Sequence, residues 1–298
     1  MYIGVMSFYE PNKRDTEALM IKKAAIAMGH KSIVFRHSNC QLVFDNHHPR
    51  VLYKGKKFPQ FDVVIPRSSK VSNNDLEASV IKQLQLMEIP VLNSYSAIVR
   101  SKNKLRTLQI LDHLQIPIPK TAVVRRMEYL KDAIAKVGGL PVIIKTPFGS
   151  LGSGVAIVES MRSLYSALDI IWGTSNIILI QEYIKESKGK DIRAFVINGK
   201  VVAAMERKAR KGDFRSNIGQ GGTGRKVTLT KDEEKLAINA TKALELNYSG
   251  VDIIRNNSHA MIMEVNCNPG LKGIIEATKI NIPQELVKGA IAFTKKYK

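Results

Sequence analysis

Through residue 93, short apolar runs alternate with stretches whose apolar residues recur every three or four positions. Parallel strands need a crossover, and a helix is the ordinary one, so this alternation predicts a small α/β domain with a parallel sheet. Residues 3–6, 32–35, 63–65 and 90–93 are the expected strands, with Pro66 ending the third. Ala18, Ile21, Ala25 and Met28 fall on one helical face that Gly29 stops, and Leu76, Val80, Leu84 and Met87 mark a second helix. Residues 41–58 between them read as short antiparallel strands, with His47-His48-Pro49 in a turn.

From Tyr95 the pattern changes. A helix is expected over 101–115, stopped by Pro117 and Pro119. A strand over 141–146 leads into a Gly/Ser loop at 149–154, and strands at 155–158 and 177–181 flank a helix. Residues 191–197 and 200–207 form a hairpin around Asn198-Gly199. Thr230 and Glu233 form a capping box for a helix reaching about residue 246. Strands at 248–254 and 260–265 follow, then a helix carrying Leu286, Ala290, Phe293 and Tyr297 on one face. The expected units are 1–94, 95–178 and 179–298.

Composition narrows the class. No apolar run approaches the roughly 20 residues that cross a bilayer, and the N-terminus lacks a signal peptide's basic region, so a cytoplasmic protein without membrane contact is expected. Two cysteines, Cys40 and Cys267, make no disulfide framework. The net charge of +20 implies an anionic partner such as nucleotide, acidic peptide or nucleic acid.

Residues 248–266 carry the chemistry. With Ile254 facing Ala260, Asp252 would face Ile262 and Glu264 would face Gly250. Period-two alternation then puts Asp252, Glu264 and Asn266 on one face, and Val251, Ile253, Met261, Met263 and Val265 on the other. Two carboxylates and an amide oxygen are hard ligands of the kind Mg²⁺ takes with waters and substrate phosphates. By spacing alone, an amphipathic hairpin with a solvated polar face is the more ordinary reading.

Upstream, Pro147-Phe-Gly149-Ser-Leu-Gly152-Ser-Gly154 follows a strand ending in Lys145. Its glycines would let backbone N–H groups close on phosphate, although composition equally suits a plain hairpin loop. Gly219-Gln-Gly221-Gly222-Thr-Gly224 has dinucleotide spacing but no strand before it or helix after it, so it reads as a loop beside Arg215. His47 and His48 read as turn residues and Cys267 as a buried thiol.

In order along the chain, Ser101-Lys-Asn-Lys104, Val142-Ile-Ile-Lys145, Gln181-Glu182-Tyr183-Ile184, Asp191-Ile-Arg193-Ala-Phe-Val, Gly212-Asp-Phe-Arg215-Ser216-Asn217, Gly250-Val-Asp252-Ile and Met263-Glu264-Val-Asn266-Cys-Asn-Pro-Gly resemble the ATP-grasp superfamily, and within it the RimK group of glutamate ligases. The resemblance implies two α+β subdomains clasping ATP, preceded by the small parallel-sheet domain. It implies that Lys104 and Lys145 contact phosphates, that Glu182 and Tyr183 form the adenine hinge, and that Asp191 holds or supports the ribose. Arg215, as the catalytic residue, with Ser216 and Asn217, would lie where γ-phosphate meets the reacting carboxylate. Asp252, Glu264 and Asn266 would bind two Mg²⁺ ions, with Mn²⁺ as an alternative, and Arg207 would meet the acceptor's carboxylate.

The activity so implied is ATP-driven addition of L-glutamate to a C-terminal glutamate, on a protein tail (a ribosomal protein's among them) or on poly-glutamate, through an acyl phosphate. A tetramer is implied as well. Two other readings stand beside it: an ATP-grasp ligase for another amino acid or cofactor precursor, and a basic ribosome- or RNA-associated binding protein.

Overall fold

The computed structural model describes residues 1–8, 15–45, 47–67, 76–149, 154–172, 177–187, 189–210, 216, 218–256 and 259–297. The first unit runs β1 (Tyr2–Ser7), α1 (Thr16–Ala27), β2 (Lys31–Arg36), β3 (Cys40–Asp45), β4 (His48–Tyr53), β5 (Lys56–Lys57), β6 (Val63–Arg67) and α2 (Leu76–Leu86). Strands β2, β1 and β6 lie side by side in that order, all parallel, as the alternation requires. The insert β3-β4-β5 is antiparallel, but β4 begins at His48, so Pro49 sits in the strand. The expected strand at 90–93 is reduced to one bridge between Val64 and Val91.

The expected single helix over 101–115 is two helices, α3 (Tyr95–Lys102) and α4 (Lys104–His113). Asn103 breaks the run because its side chain competes for the backbone: its Oδ1 accepts from Leu105 N at 3.0 Å and Arg106 N at 3.2 Å. The break opens α4 at Lys104, whose N–H donates to the Pro147 carbonyl at 3.0 Å.

Next come β7 (Thr121–Val124), α5 (Leu130–Lys136), β8 (Val142–Lys145), β9 (Val155–Val158), α6 (Met161–Trp172) and β10 (Ile178–Glu182), with sheet order β7-β10-β8-β9. Strand β10 is central in this sheet, so the two sheets part between Glu182 and Lys190 and not after residue 178. The subdomain has a core of its own, including Leu130, Val142, Leu164, Leu168 and Ile180.

The third unit is β11 (Lys190–Ile197), β12 (Lys200–Lys208), β13 (Thr223–Lys226), α7 (Lys231–Ala243), β14 (Tyr248–Arg255), β15 (Ala260–Asn266), α8 (Lys272–Thr278) and α9 (Ile282–Tyr297), with sheet order β13-β12-β11-β14-β15. The Thr230–Glu233 capping box opens α7 as expected. Strand β13 follows Gly219–Gly222 where a dinucleotide site needs a helix. One core joins Ile3, Val5, Ile21 and Ile65 of the first unit to Phe195, Leu286 and Ala290 of the third. Among the described residues no helix is long and apolar enough to cross a membrane.

Candidate active site

Sheet register gathers the site. Asp191 on β11 stands opposite Arg207 on β12, and Arg193, two residues along on the same face, stands opposite Asp252 on β14. Asp252 faces Glu264 on β15, and Gly250 faces Asn266. The expected register was wrong along the whole hairpin, by one residue at the turn and by two at Asp252 and Gly250. Arg255 pairs with Ala260, and a bulge between Asp252 and Ile253 leaves Met263 unmatched on β15. The bulge restores the common face of Asp252, Glu264 and Asn266. It also redistributes the apolar residues: Val251, Ile253, Ile262 and Val265 enter the main core, whereas Met261 and Met263 pack with Ile184 and Ile254 on the other side.

A row of alternating charges is buried across this face. Arg207 Nε donates to Asp191 Oδ1 at 2.7 Å and Nη2 to Asp191 Oδ2 at 2.5 Å, while Nη2 also reaches Asp252 Oδ2 at 2.9 Å. Arg193 holds Asp252 from the other side, through Nε to Oδ1 and through Nη2 to Oδ2 at 2.7 Å. Burial opposes ionising Asp252, but the two guanidiniums win and hold its carboxyl below the usual range. Arg207, expected at an acceptor's carboxylate, is thus buried with its fork committed to Asp191 and Asp252, and Asp191 is committed to Arg207. Sequence reading gave Arg193 no role. The signal was a pair of charges, Asp191 and Arg193, two apart in an otherwise apolar strand.

Gly250 is fixed by this crossing. A Cβ there would lie 2.6 Å from Pro269 Cβ and 2.9 Å from Arg193 Cδ, so any side chain would push against the arm that grips Asp252.

Two lysines converge from the other walls. Lys104, Lys145, Gln181, Leu179, Met263 and Glu264 line one cleft between the two sheets. Lys145 Nζ donates to Gln181 Oε1 at 2.6 Å, and Gln181 Nε2 to Thr121 Oγ1 at 2.8 Å, which fixes the ammonium over the cleft. Lys104 Nζ donates to the Gly149 carbonyl at 3.1 Å, at the start of the Gly/Ser loop. That loop closes through Thr146 N to the Gly154 carbonyl at 3.1 Å. Gly154 lies at φ +71, and a Cβ would meet Thr146 Oγ1 at 2.5 Å. Burial lowers the pKa of both lysines, Lys145 to about 8, with Glu264 pulling each back up in part.

Glu182 and Tyr183 lie where the chain leaves β10. Glu182 exchanges backbone contact with Lys120, donating N–H to its carbonyl at 2.8 Å, and its Oε2 accepts from Lys120 N at 3.2 Å. Ser216 is buried; Arg215, Asn217 and the loop residues 150–153 lie outside the described residues.

The donor set suits a divalent ion. Glu264 faces Asp252 across the ladder, and a carboxylate has about four lone-pair directions, of which the arginines use three on Asp252. One direction on Oδ1 remains, and Glu264 and Asn266 share its face of the sheet, Asn266 Oδ1 keeping one lone pair after accepting from Asn268 N at 2.9 Å. Lys145 at the end of β8 and Lys104 at the start of α4 thus share one cleft with Glu264 of the third unit's sheet, an arrangement suited to holding phosphate and a divalent ion together.

The chain belongs to the RimK-like ATP-grasp family: residues 101–290 match the RimK-like ATP-grasp domain, and residues 1–98 match the RimK PreATP-grasp domain. It is therefore an ATP-dependent ligase. A protein of Vibrio vulnificus named probable alpha-L-glutamate ligase is 38% identical over 282 residues, covering 95% of this chain and 92% of that one. One from Shewanella loihica with the same name is 41% identical over 278 residues, covering 93% and 91%. Among solved structures, the ATP-grasp ligase PsnB complexed with a precursor variant, Mg and ADP superposes with a TM-score of 0.76 at 18% identity, covering 98% of each chain. The D-alanine–D-alanine ligase of Bacillus anthracis complexed with ATP gives 0.73 at 20%, covering 100% of each.

Proposed function

We propose that this enzyme joins L-glutamate to the terminal carboxylate of an acceptor ending in glutamate, on a peptide tail or a growing poly-glutamate. The observation that carries the proposal is the meeting of Lys104 and Lys145 with Glu264 in one cleft, with Asp252 opposite Glu264. The names of the relatives support glutamate as the amino acid.

A carboxylate is a poor electrophile, so its oxygen attacks the γ-phosphorus of ATP; the β–γ P–O bond breaks and ADP leaves. The glutamate nitrogen then attacks the acyl carbon of the acyl phosphate, a C–N bond forms, and phosphate departs with the electron pair of the C–O bond while the amine loses a proton. Lys104 and Lys145 would hold phosphate oxygens, and Glu182 and Tyr183 the adenine, against the apolar side chains of Ile184, Ile254, Met261 and Met263. Mg²⁺, bound by Asp252, Glu264 and Asn266, would neutralise charge that accumulates on the transferring phosphoryl group. Arg215, Ser216 and Asn217 would face the reacting carboxylate, and Asp191 and Arg207 would keep Asp252 oriented.

Incubation with ATP, Mg²⁺, an acceptor ending in glutamate and each amino acid in turn should give ADP release and a product heavier by one residue with glutamate. Turnover only with a different amino acid would replace the substrate, and no turnover with any would sink the reading. Glu264→Ala is expected to lower kcat by about 100-fold or more while the fold persists by circular dichroism.

A further inference from the structure

The parallel sheet reverses its winding beside the site. With order β2-β1-β6, the chain leaves β1 on one side and returns on the other, and open α/β sheets take ligands at the carboxyl ends of the strands where that reversal falls. Arg67 is the last residue of β6 and stands in register with Ser7, the last of β1. It is 3% exposed. Its Nη2 donates to Glu17 Oε2 at 2.5 Å and to the Pro269 carbonyl at 3.0 Å. Its Nε and Nη1, which carry three of the five N–H groups of a guanidinium, are buried and make no well-formed hydrogen bond; the nearest further polar group is the Tyr248 hydroxyl, which spends its own proton on the Pro66 carbonyl at 3.0 Å. A buried donor left in that state keeps the full cost of its lost hydration unless an acceptor arrives.

Arg67 lies close behind the arm that grips Asp252. The carbonyl it grips is that of Pro269, whose ring abuts Gly250, and on the other flank of Gly250 Arg193 passes to Asp252. One residue's thickness separates this guanidinium from the arm that holds Asp252. A purely structural role accounts for part of the geometry: Glu17 Oε1 also accepts from Leu271 N at 2.7 Å, so the Arg67–Glu17 pair ties the first unit to the third. That role engages Nη2 alone.

We propose that Arg67 is the subsite for a non-reacting carboxylate of the amino-acid substrate, held at the carboxyl ends of β1 and β6 beside Pro269. The proposal rests on the ligase reading above and adds to it the group that selects an amino acid over a plain amine.

The test measures ADP release by the full chain with ATP, Mg²⁺ and a fixed acceptor. Three amines are compared: L-glutamate, γ-aminobutyrate (glutamate without its α-carboxylate) and 2-aminobutyrate (glutamate without its γ-carboxylate), the last two read as substrates or as competitive inhibitors. Arg67→Gln should raise KM for glutamate about 30-fold or more and leave KM for ATP unchanged. It should leave unchanged the affinity for whichever analogue lacks the carboxylate that Arg67 binds. Equal weakening of all three amines, or of none, would overturn the proposal. Arg67→Lys, which keeps the charge, is measured against the same amines if the glutamine variant does not fold, and should give the same pattern with smaller factors. If the wild-type enzyme uses another amino acid and ignores glutamate, only the choice of substrate fails. The comparison is then repeated with that amino acid and its decarboxylated form.

Discussion

At Asp252 three N–H donors from two arginines meet one carboxylate inside the protein. Such a cluster adds little when whole and costs much when broken, because the surviving charge stays buried without its partner. Arg193→Met should therefore destabilise the fold by about 3–5 kcal/mol, read from the urea midpoint at constant slope. Lys145 gives a pH-dependent readout. Burial lowers its pKa to about 8, and a nucleotide phosphate held there would favour the charged form, so binding would take up a proton above that pH. ADP affinity should fall as pH rises from about 7 to about 9, and Lys145→Met should flatten that dependence in calorimetric titrations. Strand alternation put the two carboxylates on one face, and Lys145 stood out at a strand end before a glycine loop, whereas Lys104 entered only through the resemblance. Arg193 was not, because an arginine in an apolar strand looks the same whether it faces a partner or water. Only the register reveals Asp252 opposite it.

Among elements, two departures from the sequence pattern place functional groups. The bulge after Asp252 cannot be read from alternation, since inserting one residue preserves the period on each side of it. It turns Met261 and Met263 away from the core toward Ile184. The break at Asn103 is legible only in retrospect, as a cap residue hidden between two basic neighbours. It turns Lys104 from a mid-helix residue into the first of α4, against Pro147 and Gly149. Asn103→Ala should cost about 1 kcal/mol of stability, seen as a lowered Tm, and raise KM for ATP more than KM for glutamate. Equal effects on both KM values would mean that the cap serves the fold alone.

For the whole molecule, the parallel domain, the capping box and the late hairpins were all legible from periodicity, but the way the units combine was not. Helix α9, at the end of the chain, packs against α1 near its beginning, and the first and third units share cores that also take in α3 and α4, while β7 through β10 keep their own. Hydrophobic pattern marks a face as buried without saying what covers it. Hydrogen exchange should show residues 121–182 opening at lower free energy than β11 and β14, with ADP and Mg²⁺ narrowing the difference. A single cooperative unit with uniform protection would contradict that division. The shared core means that three segments of sequence form two packed bodies, a heavy stator and a light jaw, joined between His113 and Thr121 and again between Glu182 and Lys190. A jaw turning on the second crossing would move the same few residues that are expected to grip the adenine, so an enzyme that loosens its hold on the base would also loosen its bite.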